Sequence, residues 1–445
     1  MNKNKHSVQR SLELYEQADA LIPGWTQLIS RRADQFAHGV SPIYAQHAKG
    51  SKFTDVDGRQ YIDWVNAVGA VVLGHADDTV DNAVIEQIRK GSIYTLNSPL
   101  ELELAEELNA TLPSSQMVRY TKAGGEACAV AVRIARGSKG RDLILFSGYH
   151  GWTDWYQAAN FGVDPESGEY PFAGIEPTGI PNVLAGTAVP FKYGDLQDLE
   201  RLLNTHSGNV AAIMMEPMRS DLPPKDYLEG VQRLAKAHDV VLIFDEISCG
   251  FRLAVGGVQA YLGVTPDMTV LSKSMSNGYP MGAVVGSREV MAPAKHMFIS
   301  SQYWSDCVGL SASLTTIREL KRRGAQTRFE EIGEQLRTAL NGAINNAGLE
   351  GECTGVYANP VLSLTLPEGD ERKVATLFIQ EMAKQGIHCQ LSFKATLAHS
   401  SEDIERTGEA AARALTKVKE GLENDALDEL LEVDLKKEPF RRQVR

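Results

Sequence analysis

An α/β fold built on an open, mostly parallel sheet is what this sequence predicts, and three observations carry it. Short, largely apolar runs stand at residues 142–146, 211–215, 240–244 and 268–272. Helix-length segments separate them. Each run leads to a reactive side chain: the first to Tyr149 and His150, the others directly to Glu216, Asp245 and Lys273. Continuous apolar runs of this length are strands buried on both faces, as in a parallel sheet. Ligands of open α/β sheets bind beyond the carboxyl ends of the strands. A lysine, two acids and an aromatic–histidine pair are therefore expected at one crevice.

The elements follow in chain order. Residues 6–22 place Leu12, Leu14, Tyr15, Ala18, Leu21 and Ile22 at helical spacing, and Pro23-Gly24 stops them. A loop containing Ser30-Arg31-Arg32 comes next. Strand-like runs at 52–56 and 60–64 flank Asp57-Gly58, a hairpin signature. Helical patterns dominate 76–111, and strand–helix alternation occupies about 117–310. Inside that stretch, residues 157–182 are rich in Gly and Pro and read as a surface excursion near the site. After Arg323-Gly324 the texture changes: an amphipathic helix over 327–347, an alternating strand at 361–366, a helix over 370–385, a short run at 387–391 and a helix from 401 to about 420. That mixture predicts a smaller α+β lobe. The expected division is residues 1–65 contributing to a small domain, 66–322 as the large domain, 323–422 completing the small one, and 423–445 as a charged tail.

Composition narrows the function. A chain of 445 residues exceeds what one core organises and predicts two or three lobes. Hydrophobic content of 43% and charged content of 23% are ordinary for a globular protein. No apolar run approaches the roughly 20 residues that span a bilayer, and the polar start gives no expectation of a secretory segment. Five cysteines are scattered without a CxxC pair, and ten histidines show no HExxH spacing. A cytoplasmic protein without a metal is expected. A net charge of -12 and a pI near 5.4 argue against a nucleic-acid partner. The partner is expected to be a small molecule.

Lys273 precedes Ser274-Met275-Ser276-Asn277-Gly278, a turn-rich stretch unlike a helix. Alone, such a lysine is more often a solvated residue at a strand end. Asp245 changes its setting, because an acid at the end of a buried strand requires a cationic partner, although an N-cap or a structural ion pair would also serve. A lysine desolvated near a carboxylate is a means of holding a carbonyl cofactor as a Schiff base. A protonated pyridine nitrogen would partner Asp245, which points to pyridoxal 5'-phosphate (PLP). Ile247 would present an apolar side chain to the ring face. Arg119 to Ala127 reads as a strand, a Gly124-Gly125 turn and a helix start, a place where backbone N–H groups accept an anion, or an ordinary turn. Tyr149 could stack on a planar ring or simply pack against a loop. His150 reads as shaping that stack more than as a base.

The segments Gly124-Gly125-Glu126-Ala127, Tyr149-His150-Gly151, Glu216-Pro217, Phe244-Asp245-Glu246-Ile247 with Gly250-Phe251-Arg252, and Leu271-Ser272-Lys273 stand in the order found in class III PLP-dependent aminotransferases. Ile22-Pro23-Gly24, Asp55-Val56-Asp57-Gly58, Gly256-Gly257-Val258-Gln259 and Gly263-Val264-Thr265-Pro266-Asp267 resemble the branch containing glutamate-1-semialdehyde 2,1-aminomutase. The likeness runs from about residue 10 to 420. It implies fold type I: a large domain with a mostly parallel seven-stranded sheet, a small domain from both chain ends, and a homodimer with sites at the interface. It further implies Lys273 as the Schiff-base lysine, Asp245 on the pyridine nitrogen and Tyr149 on the ring. The Gly124 and Gly125 backbone would lie on the phosphate, Glu216 beside the cofactor, and Arg31 on a substrate carboxylate. Gln302 stands where the partner subunit commonly offers a threonine to the phosphate. Gly125 stands where the family usually has Ser or Thr. Neither the late acid of aminomutases, near Gln390-Leu391-Ser392, nor the late arginine of ω-amino acid transaminases has a counterpart, so a different substrate is implied. The expected activity is ping-pong transfer of an amino group from an amino acid to an oxo compound. The alternatives are an intramolecular aminomutase or racemase, and a silent scaffold of the same fold.

Overall fold

Seven strands form one sheet, in the spatial order Met117–Thr121, Gly282–Gly286, Met268–Leu271, Val241–Asp245, Val210–Met215, Leu143–Ser147 and Ala188–Pro190. Gly282–Gly286 runs antiparallel to both of its neighbours. Every other adjacent pair is parallel. The protein is described here by a computed structural model covering residues 7–162 and 176–437. It has two units: Asp78–Gln326, which holds this sheet, and the described residues up to Asp77 together with those from Thr327 onward.

The strand sequences are apolar at nearly every position because both faces of the sheet are covered. Ile144, Phe146, Ala212, Met214, Ile243 and Val270 pack with the helix Gly124–Lys139 in one apolar cluster. Leu143, Leu145, Ile213, Met215, Leu242 and Phe244 pack with the helices Leu196–Thr205 and Lys225–Ala237 in another. Side chains alternate with a period of two along a strand. Asp245 therefore shares the face of Val241 and Ile243 and emerges toward the helix Gly124–Lys139. The helix ends are marked locally: Ser98 caps Pro99–Thr111 with a reciprocal Glu101 bond, and Asp306 caps Cys307–Arg322.

In the other unit, Ala45–Lys49, Lys52–Asp55 and Gln60–Asp63 form an antiparallel meander that Ile387–His388 extends in parallel. The hairpin signature is realised by Gly58 at φ +82 and by Asp55 Oδ1, which accepts from the amides of Asp57 and Arg59. Val361–Leu364 pairs antiparallel with Gly351–Thr354, a strand too polar for its pattern to announce. The helices Ala325–Asn346, Glu371–Lys384 and Ser401–Glu423 complete this unit. Residues 424–437, read from sequence as part of a charged tail, carry the short helix Leu427–Leu430, and Leu427 is buried against Val374, Leu377 and Val418. The remainder of that tail and positions 163–175 of the Gly- and Pro-rich stretch lie outside the described residues. Among the described residues, no helix is long and apolar enough to cross a membrane.

Candidate active site

Asp245 ends its strand with a carboxyl group that is only 3% exposed. Oδ1 accepts from the Ile247 amide at 3.0 Å, and Oδ2 lies 2.7 Å from His150 Nδ1 and 3.6 Å from Cys128 Sγ. His150 is fully buried among Phe146, Trp155 and Tyr156. With Asp245 accepting, Nδ1 is the donor, and Nε2 is left buried without a hydrogen-bond partner. Cys128, His150 and Asp245 bring their ligand atoms within 4.8 Å of one another, close enough for a metal. Burial and the charge of Asp245 hold the Cys128 thiol well above its ordinary range. Cys128 Sγ and His150 Nδ1 both lie against Asp245 Oδ2, a hydrogen-bonded group around the acid.

The helix Gly124–Lys139 begins beside this acid. Its first-turn amides have no intrahelical acceptors, and the Glu126 carboxylate turns back to take the amides of Lys122 and Ala123. Closeness leaves little room for a Cβ at Gly124 and Gly151, and ordinary room at Gly125. A Cβ on Gly124 would come 2.8 Å from Ile247 Cδ1, and one on Gly151, at φ +100, would come 2.8 Å from Gly125 Cα. A Cβ on Gly125 would meet Trp152 Cδ1 at 3.4 Å. Tyr149 and Ile247 are partly buried against the cluster that surrounds Asp245, and Tyr149 meets Tyr156 edge-on.

Lys273 follows the strand Met268–Leu271 by two residues and opens a short 3-10 turn with φ +43. Left-handed backbone is uncommon for residues with side chains, and such strain concentrates at functional sites. Its Nζ donates to Ser248 Oγ at 2.6 Å. Glu216, directly after Val210–Met215, is pushed above the usual carboxylate range by burial and then by the charge of Asp245; His150, Arg219 and Lys273 oppose that shift. These mutual influences place Glu216, Asp245, His150 and Lys273 in one electrostatic neighbourhood.

Of the residues expected from sequence, Gly124, Gly125, Tyr149, His150, Glu216, Asp245, Ile247 and Lys273 all lie in the Asp78–Gln326 unit, at the carboxyl ends of strands or in the turns that follow. Gln302 opens the 3-10 turn Gln302–Ser305 of the same unit and is exposed. Arg31 belongs to the other unit, at the end of the 3-10 turn Ile29–Arg31. Sequence reasoning missed Cys128, one helical turn after Gly124, and Ser248, three residues after Asp245. Their spacings carry a signal only once the helix and the strand end are known to face each other.

PLP is a planar ring bearing a phosphate, an aldehyde and a basic nitrogen, and these residues fit it. A buried acid held by donors awaits a cation, and glycines leave a helix N-terminus open to an anion. The aromatic and aliphatic side chains of Tyr149 and Ile247 accompany a lysine amine. Residues 35–391 match the family profile described as Aminotransferase class-III. The chain is 32% identical over 429 residues to a 3-aminobutyryl-CoA aminotransferase of Cloacimonas acidaminovorans, covering 94% of this chain and 99% of that one. It is 33% identical over 429 residues to a glutamate-1-semialdehyde 2,1-aminomutase of Desulforamulus reducens, covering 92% and 98%. Among solved structures, a transaminase with PLP bound superposes with a TM-score of 0.83 at 26% identity, covering 94% of this chain and 99% of that one. The chain belongs to the class-III aminotransferases, enzymes that work with pyridoxal phosphate.

Proposed function

We propose that this enzyme moves an amino group between an amino acid donor and an oxo-compound acceptor in two half-reactions, with Lys273 as the cofactor's covalent anchor. The observation that carries the proposal is a buried acid, Asp245, held by His150 at 2.7 Å, with the Lys273 amine donating to Ser248, three residues beyond that acid. The 3-aminobutyryl-CoA aminotransferase relative supports transfer between molecules. So does Gln390-Leu391-Ser392, which offers no acid where aminomutases carry one.

When bound, PLP supplies an electron sink for the bonds of the donor's α-carbon. Asp245 would hold the pyridine nitrogen, steadied by His150, while Tyr149 and Ile247 would bracket the ring. The Gly124 and Gly125 amides would bind the phosphate. Lys273 Nζ, kept in place by Ser248 Oγ, would take the α-carbon proton and return it. Glu216 would lie beside the ring as a carboxyl that burial makes reluctant to ionise. Arg31 would receive the substrate's carboxylate through a planar bidentate clamp.

We further propose a cytoplasmic homodimer in which Gln302 serves the partner's phosphate site. Leu96 and Phe298 of the large unit are 82% and 86% exposed, and a second copy of the chain would be a partner able to cover them. All five cysteines are free, as in a reducing compartment.

Borohydride reduction, digestion and mass spectrometry test the anchor: the added mass is expected on the Lys273 peptide, and a label elsewhere would refute it. Lys273→Ala is expected to retain cofactor non-covalently yet lose turnover by about three orders of magnitude or more, the scale of losing a general base. With an amino donor and no oxo acid, the enzyme is expected to stop after one turnover. Continued product formation would instead establish an intramolecular mutase or racemase.

A further inference from the structure

The loop that follows Leu143–Ser147 lies directly on the first turn of the helix Gly124–Lys139. Gly151 is left-handed at φ +100, and a Cβ there would stand 2.8 Å from Gly125 Cα. The two backbones therefore touch, and the next residue of the loop, Trp152, is delivered to the helix N-terminus. A Cβ built on Gly125 would have Trp152 Cδ1 at 3.4 Å and Nε1 at 3.5 Å. The polar edge of the indole thus borders Gly125. The loop is tied down on its other side as well. Gln157 Nε2 donates to the Trp152 carbonyl at 2.8 Å, and the Tyr156 hydroxyl donates to the Gly148 carbonyl at 3.0 Å.

The amides of Gly124 and Gly125 are first-turn donors without intrahelical acceptors, and neither glycine adds a side-chain donor. Neighbours that could add one are engaged elsewhere. Lys122 forms an ion pair with Asp306, and Thr121 Oγ1 donates to the Ala123 carbonyl. The Glu126 carboxylate, which takes the amides of Lys122 and Ala123, sets a negative charge in the same turn. An anion bound here needs donors to offset that charge. Trp152 is 69% exposed, and among the described residues its indole N–H meets no acceptor. That N–H can only donate.

We infer that Trp152 is a phosphate-binding residue of this chain, its indole N–H donating to the cofactor's phosphate across the open space at Gly125. The inference rests on the Gly124 and Gly125 amides being the phosphate site of the proposed function. A neutral donor aimed at an anion makes a charge-assisted hydrogen bond, stronger than one between neutral groups. Its removal is felt in affinity for the phosphate and not in affinity for the ring.

Calorimetric titration of the full chain, freed of cofactor, with pyridoxamine 5'-phosphate and with pyridoxamine tests this. Neither probe forms a Schiff base with Lys273, and the two differ only in the phosphate. The wild type is expected to prefer the phosphorylated probe. Trp152→Phe keeps an aromatic ring beside Gly125 and removes the N–H. It is expected to weaken pyridoxamine 5'-phosphate about 10-fold, the scale of one hydrogen bond to a charged group, and to leave pyridoxamine unchanged. Adding Gly125→Ser puts a hydroxyl into the same space, where a Cβ meets only ordinary contacts, and is expected to recover part of the loss. That recovery separates a lost donor from a damaged loop, because a hydroxyl does not mend packing. An equal loss for both probes without recovery makes Trp152 a packing residue and overturns the inference. A preference for phosphate that survives Trp152→Phe overturns it alone, leaving the glycine amides in place. A wild type that binds the two probes equally sinks the phosphate site at Gly124 and Gly125, and the inference with it.

Discussion

His150 Nδ1 and Asp245 Oδ2 lie 2.7 Å apart and both side chains are buried, so on the proposed reading His150 would orient the acid without touching the substrate. Hydrogen bonds to charged groups contribute about 1.5–3 kcal/mol, so His150→Ala is expected to weaken PLP binding by about 10-fold or more. Absorbance titration of the apoenzyme measures it, and His150→Asn, which restores a donor near the same place, is expected to recover part of the loss. A merely structural role would show no such recovery. Another buried histidine governs acid stability. His399 lies face to face on Trp64, its Nδ1 accepts from the Thr396 amide, and its Nε2 donates to the Asp63 carbonyl. A proton on Nδ1 would break the first of these bonds, and burial pushes the group down to about 4. Below the ordinary value of 6.5 the unfolded chain takes up a proton that the folded chain refuses. Stability is therefore full above about pH 6.5 and is lost as pH falls toward 4, by about 3 kcal/mol in all. Urea midpoints across that window are expected to fall less steeply in His399→Gln, and an unchanged slope would clear His399 of the role.

At the scale of elements, legibility tracked burial. The strands Val210–Met215 and Val241–Asp245 could be read because the sheet is covered on both faces, which leaves unbroken apolar runs. The expectation of chemistry at their ends came from the general placement of ligands in such sheets. Gly351–Thr354 could not be read, because a short strand paired on one side only needs no apolar pattern. Nor could the left-handed turn at Asn66, Ala67 and Val68, since nothing in those side chains demands it; the demand comes from the Asp63 carboxylate and the Lys394 carbonyl, the latter 328 residues away. Cys128 and Ser248 escaped for the same reason, being defined by what the fold sets opposite them. The turn has a measurable cost. Left-handed backbone costs about 1–2 kcal/mol for a residue with a Cβ, so Ala67→Gly is expected to raise stability by about 1 kcal/mol after the glycine's own entropy is counted. Denaturant midpoints check this, and a loss of stability would show that the Ala67 methyl packs better than its backbone is strained.

At the scale of the whole molecule, the exposed apolar side chains and the position of Gln302 converge on one expectation. Leu96 and Phe298 are more than four-fifths exposed on the unit that carries Lys273 and Asp245, and Tyr303, next to Gln302, is 68% exposed. A second copy of the chain is the partner that would cover them, because homo-oligomers with two-fold symmetry are the commonest assemblies and bury the same patch twice. Light scattering is expected to give a mass twice the 48.6 kDa of one chain, falling toward 48.6 kDa when Leu96→Glu and Phe298→Glu are combined. Cofactor binding then reports whether Gln302 acts across that interface. In the dimer, Gln302→Ala is expected to weaken PLP binding several-fold, since one hydrogen bond contributes about 0.5–1.5 kcal/mol. In the monomerised background the same substitution should do nothing, because the donor has already left the site, and the two changes are then strongly non-additive. Additive losses would mean that Gln302 reaches the phosphate of its own chain. A wild-type monomer that turns over normally would remove the interface from the account altogether.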